Sequence, residues 1–295
     1  MIALDVRHLK RAFGAKHVLN DVSFSVESGT LYGLIGRNGA GKTTTIEAIV
    51  GLARPDAGTI GIFGKAPRAN RRSIGHAPQE IAVYPDLTAR ENIAFFADLY
   101  GNRNPYARAD EVLDLVGLAE NAATMASVLS GGQRRLLNLG LSLAHDPPLL
   151  ILDEPTVGLD IEARDGVWRV MRESRSNGTT ILLTTHYLEE AERLCDRVGI
   201  LSAGTIVAEG TPRELKAALG YDTVVTVESD DLAQTQHSLE PHATMTRIAD
   251  GSVHAGIVGV PTIEIVVGWL RGMRASAVAT RPVSLEDVYL SISSR

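Results

Sequence analysis

The chain has 295 residues, 44% of them hydrophobic and 22% charged, a globular composition that excludes disorder, collagen-like repeats and coiled coil. A formal charge of −6 offers no basic surface to a polyanion, so nucleic acid is not expected as a partner. One cysteine, Cys195, makes neither an intrachain disulfide nor a thiolate metal cage, which points to a reducing compartment.

The N-terminal stretch MIALDVRHLK carries charges too early for a signal peptide. No apolar run approaches the roughly 18–20 residues of a bilayer span. Neither a signal peptide nor a transmembrane segment is therefore predicted.

The first element that carries chemistry is the apolar run 30–35, read as a buried strand, which leads into Gly36-Arg37-Asn38-Gly39-Ala40-Gly41-Lys42-Thr43-Thr44. This matches G-x-x-x-x-G-K-[ST], and Thr45-Ile46-Glu47-Ala48-Ile49-Val50 after it reads as a helix. Glycines let backbone N–H groups turn inward around a phosphate, and the helix start adds partial positive charge. Lys42 is predicted to reach the β- and γ-phosphates, and the Thr43 hydroxyl to ligate Mg²⁺. Further on, Gln79 stands in Ala77-Pro78-Gln79-Glu80; by itself it reads as a polar loop residue.

Leu129-Ser130-Gly131-Gly132-Gln133 precedes an amphipathic stretch with Leu136, Leu137, Leu139 and Leu141, a second anion-binding helix start. The run 149–152 ends at Asp153-Glu154. A carboxylate after a buried strand can hold Mg²⁺ through water, which suits Asp153, while Glu154 is positioned as a general base. Residues 161–176 read as a crossover helix burying Ala163, Val167, Val170, Met171 and Ser174. The strand 179–185 then delivers His186 to its C-terminal end, where ligands of open α/β sheets collect. Strand, helix, strand in this order predicts an α/β domain with a parallel sheet.

A border is expected near residue 220, where Gly210-Thr211-Pro212 and Leu219-Gly220 supply turns. Residues 221–295 hold five basic and nine acidic side chains, so they carry −4 of the total charge. Strands at 224–227, 244–248 and 253–258, helices at 231–238 and 261–272, and a strand near 275–280 predict β-α-β-β-α-β, a ferredoxin-like layer. His237, His242 and His254 are irregularly spaced without cysteine partners, and read as surface rather than metal ligands.

With the phosphate loop, Asp153-Glu154 and Leu129-Ser130-Gly131-Gly132-Gln133 in this order, the chain resembles the ATPase subunits of ATP-binding cassette (ABC) transporters over roughly residues 1–215. The resemblance implies a P-loop α/β fold: a RecA-like parallel sheet core, an antiparallel β subdomain and a helical subdomain at about 88–148, followed by a small α+β accessory domain at 221–295. It implies ATP and Mg²⁺ as ligands, with Phe13 stacking on adenine and Gly36, Asn38, Gly39, Ala40, Gly41, Lys42, Thr43 and Thr44 on the phosphates.

Thr43, Gln79 and Asp153 would serve the metal, Glu154 would be the hydrolytic base, and His186 would read the γ-phosphate. Ser130, Gly131, Gly132 and Gln133 would contact nucleotide on the opposite subunit of a homodimer, with Asp160 at that interface. A separate multi-span membrane permease would dock near Gln79 and 88–125, which places the chain at the cytoplasmic face of the membrane. Tyr84-Pro85-Asp86-Leu87-Thr88-Ala89-Arg90-Glu91-Asn92, the stretch from Thr185 to Glu192, and Pro282-Val283-Ser284-Leu285-Glu286-Asp287-Val288-Tyr289-Leu290 are similar to drug- and antibiotic-resistance export ATPases. A second reading, a non-transport cassette ATPase of translation or chromosome maintenance, predicts paired cassettes or a long coiled coil in one chain; neither is visible in the sequence.

Overall fold

A computed structural model describes residues 1–270 and 275–293. The chain forms two compact units that divide between Glu209 and Gly210, about ten residues before the turn expected as the border. Pro212–Ala217, grouped by sequence with the first part, folds with the second.

In the first unit, β1 (Ile2–Phe13) and β2 (Lys16–Glu27) form an antiparallel hairpin, followed by β3 (Leu31–Ile35), α1 (Lys42–Ile49), β4 (Ala57–Ile62) and β5 (Ile74–Ala77). Three helices follow: α2 (Ala89–Leu99), α3 (Pro105–Val116) and α4 (Gly131–Leu143). Then come β6 (Leu149–Asp153), α5 (Ile161–Ser176), β7 (Thr180–Thr185), α6 (Leu188–Leu194), β8 (Arg197–Ser202) and β9 (Thr205–Gly210). The strands make one sheet in the order β4-β1-β2-β9-β8-β3-β7-β6-β5. Its β1, β2 and β4 side is antiparallel, whereas β8, β3, β7, β6 and β5 are parallel neighbours.

The parallel strands are apolar without alternation because both faces are covered. Every residue of β3 and β6 is buried, and each large aliphatic side chain so removed from water contributes about 2 kcal/mol. Phe24 stacks on Tyr32 with ring centroids 5.1 Å apart, extending this core beneath the hairpin. α5 buries Val167, Trp168, Val170, Met171 and Ser174. Ala163, expected on that face, is only partly covered and lies where a Cβ at Gly132 would meet it. α2 and α4 both start with capping boxes, Thr88 with Glu91 and Ser130 with Gln133, which satisfy otherwise orphaned N–H groups.

In the second unit, α7 (Pro212–Ala217) is followed by β10 (Thr223–Ser229), α8 (Leu232–Leu239), β11 (Met245–Ala249), β12 (Ser252–Ile257), α9 (Ile263–Trp269), β13 (Ala275–Pro282) and α10 (Leu285–Ser293). The sheet order β11-β12-β10-β13 with antiparallel neighbours is the ferredoxin-like arrangement expected from the sequence. Positions 271 and 272 of the expected helix lie outside the described residues. One sheet face packs Val225, Val227, Val253, Ala255 and Ile257 against Leu239, Val266 and Leu270.

Asp287 is buried and takes both guanidinium nitrogens of Arg281 at 2.6 and 2.8 Å, together with the Ser284 N–H at 2.9 Å. Burial alone would raise its pKa, but Arg281 and Ser284 outweigh it and hold the carboxyl below its ordinary value. A depressed carboxylate stabilises the fold above its unfolded pKa of about 4, and that contribution is lost as pH falls through the folded value. Acid titration followed by circular dichroism should therefore destabilise the wild type more steeply below about pH 4 than Asp287→Asn. Parallel profiles would contradict this.

Candidate functional site

Four parallel strands end side by side. Ile35 of β3 pairs with Thr185 of β7, Asp153 of β6 with Thr184, and Ala77 of β5 with Leu152. Each strand passes directly into a predicted site segment: the phosphate loop, Glu154, His186 and Gln79. Strand order thus gathers residues more than 100 positions apart at one sheet edge, where open α/β sheets bind ligands.

A cavity of about 350 Å³ opens there, lined by Lys16, Val18, Asn38, Gly39, Gly41, Lys42, Thr43, Thr44, Gln79 and Glu154. The loop needs its glycines at two points. Gly39 has φ 82° and Gly41 φ 111°, and a Cβ at Gly41 would fall 2.6 Å from the Leu19 side chain. α1 starts at Gly41 with no side-chain cap, so its first N–H groups are left for a ligand in the cavity.

Lys42 and Glu154 form a buried ion pair. Lys42 Nζ lies 2.9 Å from Glu154 Oε1, with the two side chains 4% and 8% exposed, and also donates to the Gly36 carbonyl at 2.8 Å. The other oxygen, Glu154 Oε2, is 3.2 Å from His186 Nδ1. A carboxylate is therefore held between a lysine and an imidazole beside a phosphate-sized space. Glu154 has φ 47°, a left-handed conformation unusual for its residue type and of the kind that concentrates at functional sites.

Thr184 holds the Asp153 carboxylate and the Glu154 backbone. Its hydroxyl donates to Asp153 Oδ1 at 2.5 Å and accepts the Glu154 N–H at 3.1 Å. It is fully buried in β7, and its place in an apolar run concealed it from sequence reasoning. Thr184→Val keeps the shape and removes the hydroxyl, so kcat should fall roughly 10-fold or more as the acids lose their orientation. Steady-state phosphate release measures this; an unchanged kcat would remove Thr184 from the site.

Two further side chains escaped the sequence. Arg135 and Asn138, one turn apart on α4, are buried. Arg135 donates to the Gln79 carbonyl at 2.6 Å, and Asn138 Oδ1 accepts the Ala82 N–H at 2.9 Å. Their signal was a pair of polar residues on the apolar face of a helix. Burial pulls the Arg135 pKa down, against the charge of Asp153. His76 on β5 is likewise shifted down by burial, again opposed by Asp153.

Other predicted residues lie elsewhere. Phe13 is 51% exposed beneath the Arg11 guanidinium, 5.0 Å from the ring centroid. It does not line the cavity; Lys16 and Val18 of the same hairpin do. Gly36 and Ala40 do not line the cavity; a Cβ at Gly36 would fall 2.4 Å from the Leu201 carbonyl oxygen. Ser130, Gly131, Gly132 and Gln133 form the start of α4 away from this cavity, with the Ser130 and Gln133 side chains in the capping box. Asp160 caps α5 by accepting the Ala163 N–H at 2.8 Å. Among the described residues no three His, Cys, Asp or Glu side chains converge on a metal position, and no helix is long and apolar enough to cross a membrane.

Comparisons with known proteins agree with this geometry. Residues 19–157 match the family described as ABC transporter. A Nod factor export ATP-binding protein I from Burkholderia orbicola (strain AU 1054) is 39% identical, over 99% of this chain and 97% of its own length. The linearmycin resistance ATP-binding protein LnrL of Bacillus subtilis (strain 168) is 44% identical over 75% of this chain and 73% of its own. Among solved structures, an ATP-binding subunit of an ABC transporter superposes with TM-score 0.68 at 35% identity, covering 74% of this chain and 93% of that one. With the phosphate loop, the two acids and the histidine gathered at one sheet edge, the chain belongs to the ABC transporter family, as one of its ATP-binding, ATP-hydrolysing subunits.

Proposed function

We propose that this chain hydrolyses ATP at the Lys42–Glu154 cavity and powers export of a drug-like or lipid-linked substrate through a separate multi-span membrane permease. One observation carries the site: a buried lysine and a buried glutamate face each other at 2.9 Å in a cavity rimmed by an uncapped helix start. The names of the relatives, export of Nod factor and resistance to linearmycin, support the direction.

In the resting chain Lys42 neutralises Glu154. Phosphate oxygens entering the cavity compete for Lys42, and the backbone N–H groups at the start of α1 bind them. Released from Lys42, the Glu154 carboxylate can accept a proton from the attacking water. His186, hydrogen-bonded to Glu154 through Nδ1, can offer its other ring nitrogen to the γ-phosphate.

The donor set fits Mg²⁺, which usually keeps several waters and takes phosphate oxygens with only one or two carboxylates. Thr43, Gln79 and Asp153 would hold it, and it would supply neutralisation of phosphate charge. Phe13, Asn38 and Thr44 would complete the nucleotide contacts. Since Ser130, Gly131, Gly132, Gln133 and Asp160 do not line this cavity, they are proposed to meet nucleotide on a second copy in a head-to-tail homodimer.

The permease is proposed to dock near the exposed side chains Tyr84, Phe95, Leu99 and Tyr106, of which Tyr84 and Phe95 pack edge to face; this would hold the chain at the cytoplasmic face of the membrane. Asn92, fully buried, braces this region by accepting the Tyr84 N–H and donating to the carbonyls of Tyr84, Leu87 and Thr88. Affinity purification of the chain from detergent-extracted membranes tests the reading. A multi-span protein should co-purify and support ATP-driven efflux in vesicles. Association with ribosomes instead would overturn the transport assignment.

A further inference from the structure

We propose that Arg135 is a positioning residue that ties the Gln79 segment and the Glu154 turn of one site to the helix whose first turn, Ser130 to Gln133, serves the neighbouring site. The inference rests on the proposed roles of Glu154 and Ser130.

Arg135 is 6% exposed, and its donors go to main-chain carbonyls rather than to a carboxylate. One terminal nitrogen donates to Gln79 O at 2.6 Å and lies 3.3 Å from Pro78 O. The other lies 3.5 Å from Glu154 O. A guanidinium is suited to this task because its planar fork presents several donors in fixed directions. A buried cation is costly to keep unless its donors are satisfied, so an apolar side chain would fill the same space more favourably if packing were its whole role.

Asn138, one turn later, grips the same segment: it accepts the Ala82 N–H and its amide nitrogen lies 3.4 Å from Pro78 O. Residues 78–82 are therefore fastened to α4 at two successive turns. The Glu154 peptide is held from both sides, its N–H on Thr184 and its carbonyl near Arg135. This double hold suits a residue at φ 47°, since a left-handed glutamate persists only where its surroundings determine it.

From Ser130 to Arg135 is five helical residues, about 7.5 Å of rigid rise. When the start of α4 meets phosphate on a second copy, the displacement reaches Gln79 and Glu154 without an intervening loop. The Arg135 hydrogen bonds go to Pro78, Gln79 and Glu154 and not to the phosphate loop, so nucleotide capture and the alignment of base and sensor are separable.

The full-length chain is compared with Arg135→Met and Arg135→Lys, with Glu154→Gln as control. Phosphate release gives kcat and the Hill coefficient, a fluorescent ATP analogue gives Kd, and hydrogen exchange reports local order. Arg135→Met should lower kcat roughly 10–100-fold and bring the Hill coefficient towards one. Kd should stay within about two-fold, and amide exchange should quicken at 78–84 but not at 36–50. Arg135→Lys, which retains the charge but loses the planar fork, should fall between the two.

A kcat within two-fold of wild type overturns the proposal. So does a parallel loss of affinity, melting temperature and exchange protection throughout the chain, which would mark a merely structural role. If Arg135→Met does not fold, wild-type kcat and cooperativity in Arg135→Lys overturn it. Unimpaired turnover in Glu154→Gln would instead remove the base assignment on which the proposal stands.

Discussion

Glu154→Gln should reduce ATP turnover by roughly 10²–10⁴-fold, the range expected when a positioned general base is lost. The amide cannot accept a proton from water, yet it nearly preserves the shape of a side chain held beside Lys42 and His186. The substitution also removes the carboxylate that occupies Lys42. Phosphate then meets an ammonium group no longer engaged in an ion pair, and affinity for ATP should rise several-fold. With hydrolysis blocked, an ATP-dependent dimer should persist through size exclusion, because the closed state is no longer emptied of nucleotide. Phosphate release, equilibrium binding and chromatography are three independent readouts. Turnover within two-fold of wild type would end the assignment of Glu154.

Lys42→Ala should act on capture rather than on the proton. The lysine is buried, and phosphate would displace Glu154 as its partner. Removing its charge-assisted bonds to phosphate should weaken ATP binding roughly 100-fold. It also strands Glu154 in a buried site where, among the described residues, the His186 contact at 3.2 Å remains to its carboxylate. Breaking one half of a buried pair is far costlier than replacing both, so stability should fall by on the order of 3 kcal/mol. Lys42→Ala combined with Glu154→Gln should recover most of that stability without recovering binding. Calorimetry and denaturant titration separate the two effects. A single Lys42→Ala variant that bound ATP as the wild type does would contradict the site geometry.

Much of the site is legible in the amino-acid sequence. The phosphate loop is a local object: a buried strand, two glycines at positive φ and an uncapped helix start lie within about fifteen consecutive residues, and each leaves its own mark on the sequence. α5 matches its expected range of 161–176 for the same reason, since periodicity and the Asp160 cap act within a few turns. The ferredoxin-like layer is readable from element order and the Asp250-Gly251 turn, where both residues take positive φ. Phe13 is less legible. Chain position puts an aromatic on the hairpin, but only packing shows that Arg11 lies over its ring and that Lys16 and Val18 of the same hairpin line the cavity beside the phosphate loop.

By itself, then, the sequence picked out the candidate groups: a glycine-rich loop before a helix start, two acids and a histidine at strand ends, and a second glycine-rich helix start. Those signals arise from hydrogen bonds and steric rules that operate between neighbours along the chain. Tertiary structure decided which of these groups meet. Lys42 reaches Glu154, and Arg135 reaches Gln79, because the sheet runs β3-β7-β6-β5, an order set by long-range burial of both sheet faces. The same long-range packing joined α7 to α10 and moved the boundary between units to residue 210. Thr184, Arg135 and Asn138 look like ordinary strand or helix residues until that packing closes around them. A buried polar group acquires its partner only when segments far apart in sequence come together, and no local pattern encodes that meeting.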